Sequence, residues 1–453
     1  MDDTIAAIST ASGVGGISII RVSGSNSISI VNNIFKGKNL TTVNTHTINY
    51  GHIMNKNEIV DEVLVTVMKA PKTFTAEDTV EINCHGGIQT TKQILTLLLT
   101  TGCRLAEPGE FTKRAFLNGR IDLIEAESVM DIINAKTENA LSLAVNQLTG
   151  KVSNMIHELR QDLVDILANI EVNIDYPEYE DIEEMTVEMI KNKMNIIENK
   201  IGKILKESKN GKIIRNGIET AIIGKPNVGK SSLLNTLLDE NKAIVTDIEG
   251  TTRDIVEGFI NLGGIALNII DTAGIRKTDN IVENIGVSKS LELMESADLV
   301  LLILNNNTEL TDEEKMLINK LDSSFKEYII VINKIDLENK LDTNSLNKKK
   351  IVKISTKTKE GIDELKEKIE SIYNLGNISS KDMTYLSDAR SISILEKVMD
   401  SVKDINSAII NSMPIDMIEI DIKNVWNLLG EITGENYNDE LIDNLFSKFC
   451  VGK

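Results

Sequence analysis

The run Gly224-Lys225-Pro226-Asn227-Val228-Gly229-Lys230-Ser231 constrains this chain more than any other stretch. It has the form GxxxxGKS, a glycine-rich loop whose backbone N–H groups cradle phosphates. The apolar run Thr220-Ala221-Ile222-Ile223 before it reads as a buried strand, and Ser231 to Leu238 after it carries leucines at helical spacing. Strand, loop and helix start are the context the motif needs, because loop amides and helix dipole then converge on an anion. Lys230 is expected to reach the β- and γ-phosphates, and the Ser231 hydroxyl to ligate magnesium, with Asn227, Val228, Gly229 and Ser232 completing the cradle.

A phosphate loop leaves the base open. Asn333-Lys334-Ile335-Asp336 follows the strand-like Tyr328–Ile332, roughly a hundred residues on, and supplies the selection. The Asp336 carboxylate accepts from both N–H donors on the guanine edge, whereas adenine leaves it unpaired in a desolvated pocket. Asn333 is expected to orient the loop, Lys334 to cover the base, and Ser355, after the strand Ile351–Ile354, to lie near the guanine oxygen. Asp271-Thr272-Ala273-Gly274 follows another strand-like run, with Asp271 placed to hold magnesium through water and the Gly274 N–H to sense the γ-phosphate. Between them, Gly250-Thr251-Thr252-Arg253-Asp254 is expected to act as a mobile switch, with Thr252 as the second magnesium-ligating hydroxyl. Four motifs in this order and spacing point to GTP and its hydrolysis.

The position after DxxG is Ile275, which cannot orient the attacking water as a glutamine would. Either hydrolysis is slow, or another group and another cation do that work. Asn227 and the segment Thr246-Asp247-Ile248-Glu249 offer oxygens that could hold a monovalent cation over the phosphates.

Around this core the rhythm changes. Residues 1–118 mix short strands (Ile17–Val22, Glu62–Met68, Thr79–Cys84) with a helix from Gln89 to about Thr100, and predict an α+β domain. Residues 119–210 and 376–453 read as helical, and 211–375 as alternating βα units of a parallel sheet, so the nucleotide domain is expected to be inserted in the helical one. The acidic run Asp175–Asp181 reads as a solvated helix–helix turn rather than a metal site.

Composition narrows the partners. Forty-one per cent hydrophobic and 26% charged residues are ordinary for a globular chain. No apolar run is long enough to span a bilayer, and Met1-Asp2-Asp3-Thr4 lacks the basic start of a secretion signal. Three cysteines, Cys84, Cys103 and Cys450, form no CxxC pair, which fits a reducing compartment, the cytoplasm. The net charge of −19 excludes a broad basic surface for nucleic acid, which must be bound locally or through a partner. The acidity could equally serve only solubility.

GKPNVGKS, TDIEGTTRD from Thr246, DTAGIR from Asp271, NKID and the last four residues Cys450-Val451-Gly452-Lys453 together resemble the tRNA modification GTPases, which act at carbon 5 of wobble uridines. The N-terminal runs Ile20–Gly24, Glu81–Gly87 and Pro108–Arg120 carry the likeness over essentially the whole chain. The resemblance implies a homodimer joined through α+β domains like a tetrahydrofolate-binding fold, and a central helical domain carrying an inserted Ras-like P-loop GTPase domain. It implies an FAD-binding partner protein in a heterotetramer, with tRNA bound mainly through that partner. The chemistry implied is addition of an aminomethyl or carboxymethylaminomethyl group, from a 5,10-methylene or 5-formyl tetrahydrofolate unit with ammonium or glycine. It further implies potassium-stimulated hydrolysis through G-domain pairing, with potassium on Asn227, Thr246, Ile248 and Thr251, magnesium on Ser231 and Thr252, and Glu283 orienting the water.

Arg21, Glu81, Arg120 and Lys453 match the family's folate positions. A carboxylate can pair with the pterin edge and basic groups with the glutamate tail, although Arg120 stands where many members have lysine, a different geometry. Cys450 fits a prenylation box poorly because Gly452 and Lys453 follow it. Taken alone it is an incidental thiol; the resemblance makes it required for the modification, as a nucleophile or an acid/base. The alternative is a regulatory GTPase of ribosome assembly or membrane-linked signalling, which should carry a basic RNA-binding module that the −19 charge speaks against.

Overall fold

The structure is a computed structural model and describes residues 3–175, 187–240, 259–270, 287–344, 346–373 and 384–453. Its first unit is a seven-stranded sheet. The strands are β1 (Ile5–Ile8), β2 (Gly15–Ser23), β3 (Phe35–Gly37), β4 (Thr47–Asn55), β5 (Glu58–Met68), β6 (Thr79–Gly86) and β7 (Arg104–Leu105), in the order β3-β4-β5-β6-β2-β1-β7. Helices α1 (Ser27–Ile34) and α2 (Ile88–Thr101) cover one face. Period-two alternation decides which side chains meet them: Ile20, Val22, Val80 and Ile82 are buried with Val31, Ile94 and Leu98. The intervening Arg21 and Glu81 therefore point to the other face, directly opposite each other in the β2–β6 register. The three predicted strands and the helix are present; the four further strands are short or, like β4, carry polar residues where alternation would show them.

The helical part begins with α3 (Glu110–Leu117), α4 (Leu123–Asn134), α5 (Glu138–Leu148), α6 (Lys151–Asp175) and α7 (Val187–Asn216). Asp122 and Glu125 close a capping box that starts α4. Leu159, Leu163, Ile166 and Ile170 recur at helical spacing along α6 and are all at most 1% exposed. Of the acidic run Asp175–Asp181, everything past Asp175 lies outside the described residues.

The chain then builds a second sheet from β8 (Ile218–Ile223), β9 (Phe259–Leu262), β10 (Ile265–Ile269), β11 (Leu299–Asn305), β12 (Glu327–Asn333) and β13 (Ile351–Lys353). The order is β13-β12-β11-β8-β10-β9, parallel except for the β9–β10 hairpin. β11 and β12 are apolar from Leu299 to Leu304 and from Tyr328 to Ile332, and β8 from Ala221 to Ile223, as strands buried on both faces must be. Helices α8 (Lys230–Glu240), α9 (Val287–Ser296), α10 (Asp312–Asp322) and α11 (Ile362–Ile372) accompany them. The strand-like readings of 266–270, 299–304, 328–332 and 351–354 fall on β10, β11, β12 and β13 within a residue.

Three helices follow: α12 (Ala389–Ile410), α13 (Ile415–Thr433) and α14 (Asp439–Ser447). Leu395, Val398, Val402 and Ile405 of α12 and Ile418, Ile422, Val425 and Leu429 of α13 pack with α6 and α7 in one core. The two halves of this bundle are tied by the ion pair of Glu127 on α4 with Arg390 on α12, and within the first half Asp131 on α4 pairs with Arg215 on α7. Burial, reinforced by Asp388, pushes the Glu127 carboxyl up to about 7 despite the Arg390 guanidinium. Gln147 on α5 donates to Tyr385 O and Ser387 Oγ, clamping the segment that precedes α12. Ala140 and Leu143 of α5 share a core with Ile260, Leu262, Ile265 and Leu267 of the β9–β10 hairpin. No helix among the described residues is long and apolar enough to cross a membrane.

Candidate functional site

The loops after β8, β12 and β13 gather at the carboxyl ends of the parallel strands, where open α/β sheets bind ligands. β8 ends at Ile223, the loop turns over Gly224 to Gly229, and α8 begins at Lys230. Two glycines are there by necessity. Gly224 has φ +146 and an added Cβ would sit 2.5 Å from Ile303 O; Gly229 has φ +103 and its Cβ would sit 2.2 Å from Asn333 Nδ2. Only a residue with no side chain lets the backbone bend this closely and leave its amides facing a phosphate. Lys230 Nζ donates to Gly224 O and Lys225 O, both at 2.8 Å, which holds the ammonium over the loop.

Asn333 is the keystone of the base side. It is fully buried; its Nδ2 donates to Val228 O at 2.8 Å, and its Oδ1 accepts from Lys334 N at 2.8 Å and Thr356 N at 3.2 Å. One side chain thus pins three loops. Lys334 Nζ donates to Asn227 O at 2.6 Å, and both residues take left-handed backbone, with φ +66 and +61. Ser355 Oγ donates to Asp336 Oδ1 at 2.8 Å and fixes the orientation of an otherwise exposed carboxylate. Asn227 to Ser232, Asn333, Lys334, Asp336 and Ser355 are therefore brought to one edge of the sheet. These residues fit a guanine nucleotide, with anion donors at the loop and a rigid acceptor at the base. Thr246, Asp247, Ile248, Glu249, Gly250, Thr251, Thr252, Asp271, Thr272, Ala273, Gly274 and Glu283 lie outside the described residues.

A second cluster forms on the open face of the first sheet. Arg21 Nε donates to Glu81 Oε1 at 2.9 Å, with both side chains about one-fifth exposed. The Arg21 guanidinium lies 5.6 Å from the ring centres of Phe74 and Phe111, and that of Arg120 lies 5.0 Å from Phe74. Arg120 also donates to Phe74 O at 3.1 Å. The last residues reach the same place. Gly109 N donates to Cys450 O, Phe111 N to Lys453 O, and Ser9 Oγ to Gly452 O, at 3.2, 3.1 and 3.1 Å. Pro108 and Val451 form an antiparallel bridge. Gly452 has φ +90 and lies so close to β1 that a Cβ would be 2.3 Å from Ile8 O. A carboxylate, two guanidiniums and aromatic walls, with the backbone of the last residues alongside, fit a flat heterocycle with an anionic tail.

Sequence reasoning missed Phe74 and Phe111, the walls of this cluster, and Arg114, which organises it. Arg114 is 1% exposed and donates to Asp3, Glu77 and Glu110, anchoring α3, whose first turn holds the C-terminal residues. Its only signal was lying inside the run Pro108–Arg120. The thiols divide by burial: desolvation pushes Cys84 up to about 11 and Cys103 to about 12, making them unreactive, while Cys450 is exposed.

Two family profiles match the chain, the MnmE helical domain over residues 123–450 and the GTP-binding protein TrmE N-terminus over residues 4–120. Relatives called tRNA modification GTPase MnmE include one from Bacillus cytotoxicus, 53% identical over 100% of this chain and 99% of its own. Another, from Lactococcus lactis subsp. lactis, is 54% identical over 100% of this chain and 98% of its own. Among solved structures, Era in complex with MgGDPNP and nucleotides 1506-1542 of 16S ribosomal RNA covers 41% of this chain and 66% of that one. Its identity is 24% and its TM-score 0.24.

Proposed function

The chain belongs to the MnmE family of tRNA modification GTPases, and on that footing we propose that it hydrolyses GTP to drive modification of carbon 5 of the wobble uridine. The observation that carries the reading is 53% identity to a tRNA modification GTPase over the full chain. The nucleotide edge supports it: Lys230 and the loop amides meet phosphates, Asp336 held by Ser355 accepts from guanine, and Asn333 locks the two loops together. Ser231 and Thr252 would ligate magnesium and Asp271 its water, Thr272 and Ala273 would belong to the nucleotide-binding set, and the Gly274 N–H would sense the γ-phosphate. Asn227, Thr246, Ile248 and Thr251 would hold potassium, which neutralises developing phosphate charge when the G domains of two copies pair. Glu283 would orient the water that Ile275 cannot.

The second cluster would hold a tetrahydrofolate derivative. Glu81 meets the pterin edge, Arg21 positions that carboxylate, and Arg120 and Lys453 meet the anionic tail. The folate supplies a one-carbon unit when bound, and Cys450, exposed beside the set, acts on the uridine. Residues 1–118 would form the folate-binding and dimerisation domain, and 119–210 with 376–453 a helical domain carrying the Ras-like G domain 211–375. The chain would work in the cytoplasm as a homodimer with an FAD-binding partner protein that binds most of the tRNA.

Mass spectrometry of wobble nucleosides tests the reading. Cells lacking the gene are expected to lose the 5-substituted uridine and regain it with the wild-type gene; an unchanged nucleoside profile in the deletion strain, with no second copy of the gene, would sink it. The cation assignment has its own check. Exchanging potassium for sodium is expected to slow hydrolysis by about tenfold or more, and equal rates in the two salts would remove potassium from the mechanism.

A further inference from the structure

A groove of about 840 Å³ runs between the helical bundle and the second sheet, at the end of that sheet opposite the nucleotide loops. Four lysines line it: Lys136 beyond α4, Lys209 and Lys212 on α7, and Lys326 before β12. In a chain of net charge −19 this is a local reversal of sign. Lys203 and Lys206 continue the row on α7, so an exposed lysine falls at every third residue from 203 to 212. The sheet side adds Lys348, Lys349 and Lys350 just before β13, close enough that Lys350 lies 3.9 Å from Glu327 on the groove wall.

The three carboxylates in the lining already have partners on or beside the groove wall. Glu219 Oε1 accepts from Asn268 Nδ2 at 2.9 Å, Asp298 Oδ2 accepts from Glu219 N at 3.1 Å, and Glu327 faces Lys350. Lys209 and Lys212 have no carboxylate partner among the described residues. The same lining holds Phe325, fully exposed in the Ser323–Lys326 loop, and Tyr373. A lone phenylalanine entirely in water, bordered by lysines, has the composition of a surface that tracks a phosphate backbone and stacks on an unpaired base.

We propose that this groove binds the backbone of the tRNA, with Phe325 against an unstacked base or ribose. The inference rests on the tRNA-modifying reading and adds to it a contact surface on this chain, distinct from any the flavoprotein supplies. Lysines here position the RNA and read no sequence, so one surface serves every tRNA the protein handles.

The test measures binding of unmodified tRNA to the full-length protein by fluorescence anisotropy across a salt series, alongside GTP hydrolysis without tRNA. The double variant Lys209→Glu/Lys212→Glu is expected to lower affinity about tenfold or more and to reduce the slope of log K against log salt by about two. Lys209→Gln/Lys212→Gln should lose less affinity with a similar change of slope, and Phe325→Ala should weaken binding several-fold with the slope unchanged. GTP hydrolysis should stay at the wild-type rate in all three, since none of these residues touches the nucleotide loops. Variants that bind as wild type while the wild-type chain still supports modification would overturn the groove and leave the function standing. Polyglutamate binding as tightly as tRNA at equal charge, with Phe325→Ala changing neither affinity, would overturn the RNA assignment. A wild-type chain that neither binds tRNA nor supports modification would overturn the functional reading, and the groove with it.

Discussion

Asp336→Asn is expected to weaken GTP binding by roughly 10²- to 10³-fold, from the loss of a charge-assisted acceptor and the burial of an unpaired donor. The carboxylate would offer two oxygens to two guanine N–H groups, and Ser355 Oγ, at 2.8 Å from Oδ1, sets the plane in which it would do so. An amide in that plane turns one acceptor into a donor facing a donor. The same change should improve binding of xanthosine triphosphate, whose carbonyl at carbon 2 replaces the amino group and can accept from the amide. Competition of labelled GTP with each nucleotide gives the ratio directly. An unchanged preference for GTP would mean that the base lies elsewhere, since no rearrangement of Lys334 or Asn333 could replace that acceptor pair.

The second large effect concerns Cys450. Cys450→Ser is expected to abolish the 5-substituted uridine in the rescued deletion strain while GTP hydrolysis stays within about twofold of wild type. The backbone of this residue is held by Gly109 N, and the bridge Pro108–Val451 and the close packing of Gly452 on Ile8 do not involve the thiol. Serine keeps every one of those contacts and removes only the sulfur nucleophile. Full modification by the variant would return Cys450 to an incidental thiol, and loss of both activities would assign it a structural task.

The nucleotide edge was legible because its residues are determined locally. A loop that must bend with φ +146 at Gly224 and +103 at Gly229 admits little but glycine, so the letters of the motif record backbone geometry. The buried strands were legible for a related reason: β11 and β12 have no polar face to interrupt their apolar runs. The open face of the first sheet was not, because its order comes from contacts over long separations. Phe74 and Phe111 matter through Arg21, and Lys453 through Phe111, pairings that no period in the sequence announces. Arg114 is the clearest case. A fully buried arginine is rare in proteins and becomes intelligible only once Asp3, Glu77 and Glu110, far apart in the chain, are seen around it.

The contact of α5 with the β9–β10 hairpin has a thermodynamic consequence. Leu143 is 1% exposed, in a core to which both units contribute, and returning one such side chain to water costs about 2 kcal/mol. Swinging the nucleotide-binding sheet away from α5 is therefore an uphill equilibrium with a definite penalty, not free diffusion on a tether. A nucleotide can populate the swung-out arrangement only to the extent that it binds that arrangement more tightly. About 1.4 kcal/mol of such preference shifts the ratio of the two arrangements tenfold. The apolar joint thus sets how much of the difference between GTP and GDP binding must go into reorientation before any remains for work on the RNA.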